Sequence, residues 1–106
     1  MIKNLFLLTR YKRLVNVPVK DIILIERAKD YSRFVTKNAN YLVKAPLTEL
    51  EQGFAQYGFC RVHRSYIVQL EKIDEIVDDI IHIDGKHVPM GKTYQQELFL
   101  RLDIIR

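Results

Sequence analysis

Cysteine occurs once, glycine four times and proline three times in the 106-residue sequence, and each shortage removes a class of protein. With Cys60 alone, no disulfide can form within the chain. A small secreted scaffold stapled by bridges is therefore excluded, and a reducing cytoplasm fits better. Four glycines leave no glycine-rich loop to cradle a nucleotide phosphate, so no cofactor is expected. No apolar run approaches the length of a membrane span, and the cluster Leu5 to Leu8 is too short and wrongly flanked for a signal peptide; no membrane partner is expected. Nor does any linker-like, low-complexity or repeated stretch divide the chain. Residues 1–106 are expected to form one domain.

What is present suits a folded protein: 48% hydrophobic and 28% charged residues, too apolar for disorder. The net charge of +4 hides an uneven distribution. Residues 71–84 carry Glu71, Asp74, Glu75, Asp78, Asp79 and Asp84 against Lys72 alone, while residues 1–46 hold ten Lys/Arg and three Asp/Glu. Such a chain has a directional field that attracts polyanions at one region and repels them at another. The bland alternative is a pair of solvated faces.

Apolar residues come mostly in short runs, which predicts a mainly β architecture. Leu5 to Thr9 and Leu14 to Val17 flank a polar tip at residues 10–13, and Pro18 argues against a central strand there. Ile22 to Glu26 reads as a strand buried on both faces. Tyr31 to Lys37 and Tyr41 to Lys44 surround Asn38-Ala39-Asn40, whose asparagines tolerate the positive φ of a hairpin tip. Ile80 to Ile83 and Lys86 to Val88 surround Asp84-Gly85, a two-residue hairpin signal. One helix stands out: Leu47, Leu50, Phe54 and Tyr57 share a face, Thr48 with Glu51 forms a capping-box pattern, and Gly58 suits the stop, although Gly53 weakens the interior. A second helix is expected over Tyr94 to Leu102.

The block Phe59-Cys60-Arg61-Val62-His63-Arg64-Ser65-Tyr66-Ile67-Val68 closely resembles the central motif of LytTR domains. Asp21 to Glu26, Asp30-Tyr31, Leu47 to Leu50, Ile73 to Ile76, and Val88-Pro89 with Tyr94 are similar to the family's other segments in order and spacing, over roughly residues 5–102. The resemblance implies about ten short strands in an elongated stack of small sheets with one or two short helices. It also implies sequence-specific binding of double-stranded DNA through loops in the major groove, for transcription regulation. Further implications are a site of paired direct repeats, two copies side by side as a possible homodimer on DNA, and a bacterial two-component response regulator with a receiver domain and a sensor histidine kinase. The chain is then expected to be a domain excised from a longer regulator, because Met1-Ile2-Lys3 leads directly into the first strand.

Carried over residue by residue, the resemblance assigns DNA contact to Tyr31, Ser32 and Arg33, then His63, Arg64 and Ser65, then Lys92 and Thr93. The chemistry suits them. Arg64 offers a fork for guanine O6 and N7 or for phosphate, Lys92 a point charge for phosphate, and the hydroxyls orient more than they attract. Arg27, Lys29 and Lys12 are candidate backbone contacts. The competing reading of Arg64 is an exposed arginine paired with an acidic neighbour, and His63 is either a DNA contact or a hydrogen-bonded structural residue. Val62, Tyr66 and Val68 are expected in the core, with Cys60 as a small buried hydrophobe.

Three departures from the family pattern bear on base preference: Gln69 stands where asparagine is common, Met90-Gly91-Lys92 replaces Val-Ser-Arg, and Arg27-Ala28-Lys29 is unusually basic. Gln69, Gly91 and Lys92 keep open a protein-interaction module that has lost DNA binding. An enzyme finds no support, since no acid orients His63 toward Ser65 and no glycine-rich elbow holds that serine. His82 and His87 should face each other across the Asp84-Gly85 turn, but no third metal ligand is evident and no metal is expected. Residues 71–84 are expected as a strand pair with Ile73, Ile76, Ile81 and Ile83 inward and carboxylates in water, away from DNA.

Overall fold

The short apolar runs become ten strands, with two helices, among residues 3–106, the part that this computed structural model describes. Met1 and Ile2, and with them the lead into the first strand, lie outside the described residues. In chain order the elements are β1 (Asn4–Leu8), β2 (Leu14–Pro18), β3 (Ile22–Ala28), β4 (Tyr31–Thr36), β5 (Asn40–Val43), α1 (Leu47–Phe54), β6 (Phe59–His63), β7 (Tyr66–Gln69), β8 (Ile73–Val77), β9 (Ile80–Ile83), β10 (Lys86–Pro89) and α2 (Lys92–Arg101). They form three antiparallel sheets: a β1-β2 hairpin, a five-stranded sheet in the order β5-β4-β3-β7-β6, and a three-stranded sheet in the order β10-β9-β8. Stacked together they span 46 × 31 × 24 Å, the elongated shape expected. No helix among the described residues is long and apolar enough to cross a membrane.

β3 runs down the middle of the five-stranded sheet, and both its faces are covered, which explains its unbroken aliphatic run. A bulge between Ile22 and Leu24 shifts the alternation. Ile23 and Leu24 consequently join one core with Val62, Val68, Ile81, Ile83, Val88 and Leu98, between this sheet and the three-stranded sheet with α2. Ile22 and Ile25 join a second core with Leu7, Val17, Phe34, Leu47, Phe59 and Ile67, beneath the β1-β2 hairpin and α1. Phe54 of α1 packs its ring 5.6 Å from Phe34 and 5.4 Å from Phe59.

Local chemistry agrees with the sequence in part. Asp84 and Gly85 adopt φ of 48° and 78°, the mirror-image turn expected there, and Gly58 ends the helical segment at φ 85°. The asparagines of the β4-β5 tip do not take positive φ. Thr36 closes that turn instead, its amide and hydroxyl donating to Ala39 O at 3.0 and 2.5 Å. Left-handed residues sit elsewhere, at Lys12, at Lys29 in the β3-β4 turn (φ 57°), and at Asp78 and Asp79 between β8 and β9. The capping box is also not formed. α1 starts after Pro46, whose carbonyl accepts from Glu49 and Leu50, because Leu47 must be buried and Glu51 is drawn to Arg61.

Gln69 is a finding against expectation. It is buried at the end of β7, where its amide donates to Val19 O at 3.1 Å and Ile22 O at 2.5 Å. The side chain fastens β7 to the start of β3, so this departure concerns packing rather than base preference. Cys60 is buried as expected, and burial pushes its thiol pKa up, against a lowering influence from Arg101. Arg101 itself ties the last turn of α2 to β6 by donating to Phe59 O at 2.5 Å.

Two outcomes follow from these contacts. Gln69→Leu removes the side-chain donor from Ile22 O and leaves Val19 O with the Ile22 N–H alone, and should cost about 1–3 kcal/mol, read from the urea unfolding midpoint. Cys60 should react with a thiol reagent only at the rate of unfolding, so that labelling half-times shorten in parallel with added urea.

Candidate nucleic-acid interface

Antiparallel order brings three connections to one end of the five-stranded sheet: the β3-β4 turn at Lys29-Asp30, the β5-α1 link at residues 44–46, and the β6-β7 turn at Arg64-Ser65. The first and last are joined directly, since Arg27 N–H donates to Ser65 O at 2.9 Å. A bulge in β6 brings in a fourth region. Arg61 pairs with Ile67 and His63 with Tyr66, leaving Val62 as the extra residue. Its carbonyl accepts the Gly91 N–H at 2.8 Å, which docks the start of α2, with exposed Lys92 and Thr93, beside the same turn.

Arg61 organises that turn. Its Nε donates to His63 O at 2.9 Å, one terminal nitrogen to Arg64 O at 2.6 Å, and the other pairs with Glu51 of α1 at 2.8 Å. Only 10% of the side chain is exposed, so the guanidinium acts as a bracket rather than a surface charge. Its planar fork carries donors on three separate nitrogens and so reaches three acceptors spread around the turn, whereas the three donors of a lysine share one nitrogen.

The residues carried over from the resemblance fare differently. Arg64 is exposed and makes no ion pair among the described residues, so the paired-arginine alternative does not hold. Ser65 and Tyr31 are half-buried at the rim. Arg33 is ion-paired to Glu26 at 2.7 Å while remaining 37% exposed. His63 is half-buried, and its Nδ1 accepts the Ser65 N–H at 3.0 Å with its ring 5.5 Å from that of Tyr66. It makes the hydrogen bond of the structural reading. Ser32 is corrected: it is 1% exposed and its hydroxyl donates to Ala45 O at 2.5 Å, so it holds the β5-α1 link instead of facing solvent.

The three connections at the sheet end leave a cleft of about 520 Å³ lined by Arg27, Lys29, Lys44 and Arg64, with Arg61 behind them and Asp30 the one acid in its wall; the start of α2 does not line it. Next to it Arg10, Lys29, Tyr31 and Arg33 line a second cleft of about 310 Å³. Arg10 arrives because its N–H donates to Leu42 O at 2.9 Å, which leans the β1-β2 tip onto β5. Its guanidinium lies 5.8 Å from the Tyr31 ring. Arg10, Lys44 and the role of Arg61 had no local signal in the sequence, because each depends on which strands are neighbours.

The acidic stretch is divided between the two ends of the three-stranded sheet. Asp74 and Asp84 meet at one end, where Asp84 N–H donates to an Asp74 carboxylate oxygen at 3.0 Å. The Asp78-Asp79 turn lies at the other end, its Asp79 carbonyl accepting the Met90 N–H at 2.9 Å, one residue before Gly91. Both aspartates of that turn are exposed to water, and no acid of the stretch lines the cleft. Met90 is a core residue and Gly91 lies so close to Tyr94 that a Cβ would meet its ring at 3.0 Å, so of the three departures there only Lys92 is freely exposed. His82 and His87 do face each other, rings 4.5 Å apart, but no group of three or more metal-ligating side chains occurs among the described residues.

Comparison with known proteins adds a family to this geometry. A family model described as the LytTr DNA-binding domain matches residues 12–103. Sensory transduction protein LytT of Bacillus subtilis (strain 168) is 33% identical over 91 residues, covering 80% of this chain and 38% of that protein. The heme-containing CO-sensing transcriptional regulator RcoM 2 of Paraburkholderia xenovorans is 29% identical over 103 residues, covering 91% and 39%. The chain thus spans 38% to 39% of the length of these relatives. A solved Bacillus cereus structure, the LytTr DNA-binding domain of a chain described as a methyl-accepting/DNA response regulator, shares the fold with a TM-score of 0.80 at 22% identity, over 97% of both chains.

Arg61→Lys keeps a charge near Glu51 but cannot serve all three acceptors. It should destabilise by about 1–3 kcal/mol and speed hydrogen exchange at the Ser65 and Arg27 amides while leaving β9 protected.

Proposed function

The chain belongs to the LytTr DNA-binding domain family, and on that premise we propose that it binds double-stranded DNA sequence-specifically and regulates transcription. The observation that carries this reading furthest is the cleft at one sheet end, where Arg27, Lys29, Lys44 and Arg64 face a single Asp30. Such convergence is costly in self-repulsion unless a polyanion neutralises it. The whole of residues 1–106 acts as the DNA-binding unit.

In this mechanism Arg64, on a turn already fixed by Arg61, enters the major groove and reads guanine or clamps a phosphate. His63, Ser65, Tyr31 and Arg33 flank it, and Lys92 with Thr93 meets the backbone beyond, Lys92 serving phosphate better than base. In this reading loops from the three chain regions enter successive major grooves along one side of the duplex. Paired direct repeats would seat two copies side by side as a dimer. The longer relatives, named for sensory transduction and transcription regulation, favour a bacterial cytoplasmic regulator in which a receiver domain, controlled by a sensor histidine kinase, acts by raising local concentration. No enzymatic role enters this reading. The rival protein-interaction module loses one of its supports, since Gln69 is buried away from the surface.

Fluorescence anisotropy on promoter fragments over a salt series tests the proposal. Arg64→Ala should cost about 1–3 kcal/mol and relax preference at one base pair if it reads a base edge, whereas a uniform loss makes it a phosphate contact. Equal affinity for every duplex, or none at low salt, would overturn sequence-specific binding.

A further inference from the structure

The basic cleft contains two groups that the family resemblance does not assign, Lys44 and Thr48. We propose that they form a seat for one phosphodiester of the DNA backbone, an inference that rests on the DNA-binding reading above. Lys44 is exposed directly after β5, the edge strand, and reaches the same cleft as Arg27, Lys29 and Arg64 from the opposite wall. Thr48 is exposed in the first turn of α1. The amides of Leu47 and Thr48 make no backbone hydrogen bond among the described residues, where the first of α1 to donate are those of Glu49 and Leu50. Unpaired donors, a hydroxyl and a flexible ammonium on one wall match the tetrahedral oxygens of a phosphodiester.

Two features make this wall a built surface. Ser32, buried on β4, holds Ala45 O at 2.5 Å, and Ala45 N–H donates to Val43 O at 3.0 Å, so the chain between Lys44 and Thr48 is fixed at both sides of Ala45. The charge inside the cleft is also unspent. Arg61 is discharged by Glu51, but Arg27, Lys29, Lys44 and Arg64 make no ion pair among the described residues. Asp30 is the only acid lining the cleft. Arg27 near the end of β3, with Lys29 and Arg64 on two strand turns, can hold the duplex from one side; Lys44 and Thr48 hold it from the other.

The test compares the full chain with Lys44→Gln, Thr48→Val and Lys37→Gln by anisotropy, on a preferred and an unrelated duplex, over a salt series. Lys37 is an exposed lysine in the β4-β5 turn, at the far end of the sheet. Lys44→Gln should lower the slope of log affinity against log salt by about one, with the same fold-loss on both duplexes. Thr48→Val should weaken both equally with the slope unchanged. The inference fails if Lys44→Gln leaves slope and affinity as they were while Arg64→Ala still weakens binding, in which case the DNA-binding reading stands without this seat. It fails too if Lys37→Gln lowers the slope as much, because the effect is then one of net charge. Absence of any binding by the unaltered chain at low salt removes both readings together.

Discussion

A guanidinium with only a tenth of its surface in water holds the rest of the candidate face in position. Arg61 joins α1 through Glu51 to the two carbonyls that shape the β6-β7 turn, and the residue beside it, Val62, is bulged so that its own carbonyl is left for Gly91. One dipeptide thereby fixes three things: the conformation of the turn carrying Arg64, the place of α1 relative to it, and the start of α2. The cost of removing a buried, paired charge from water is met because the fork's donors find acceptors. A rigid first layer of this sort matters for recognition, since ordering a loop at the moment of binding would subtract from affinity.

Much of the architecture was legible in the residues. The hairpin at Asp84-Gly85, the two-faced strand at Ile22, the amphipathic α1 and the Gly58 that ends the 3-10 turn after it all announce themselves through local rules of period and turn chemistry. Local rules failed where a tertiary partner was stronger. Glu51 could not cap α1 because Arg61 competes for it, and the asparagines of the β4-β5 tip yielded to the threonine that closes the turn. The site was legible only as a set of chain segments. Ser32 shows why: β4 is covered on both faces over part of its length, with Phe34 and Val35 buried in different cores, and the motif does not say whether its serine is covered too. Gln69 misled for a related reason, since a polar residue in a strand reads as surface until its buried acceptors are known.

The charges of the chain are sorted by strand connection rather than by segment. Arg27, Lys29, Lys44 and Arg64 reach one cleft from separate parts of the sequence, with Asp30 the one acid in its lining. The acids of residues 71–84 are instead spread over the two ends of the three-stranded sheet, Asp74 with Asp84 at one and the Asp78-Asp79 turn at the other. A field of this kind is set by topology, and net charge alone does not describe it.

Lys12 and Lys29, at the tips of the two hairpins that flank the clefts, both hold left-handed backbone. Glycine would adopt it freely, whereas an ordinary side chain forgoes about 1–2 kcal/mol at each position. Together that is a sizeable part of the 5–15 kcal/mol that keeps a typical domain folded. Populations selected for heat tolerance alone would therefore drift toward glycine or asparagine at these two tips, gaining robustness and shedding positive charge in the same steps. Retention of lysine at both would be a mark that something other than folding has been filtering the sequence.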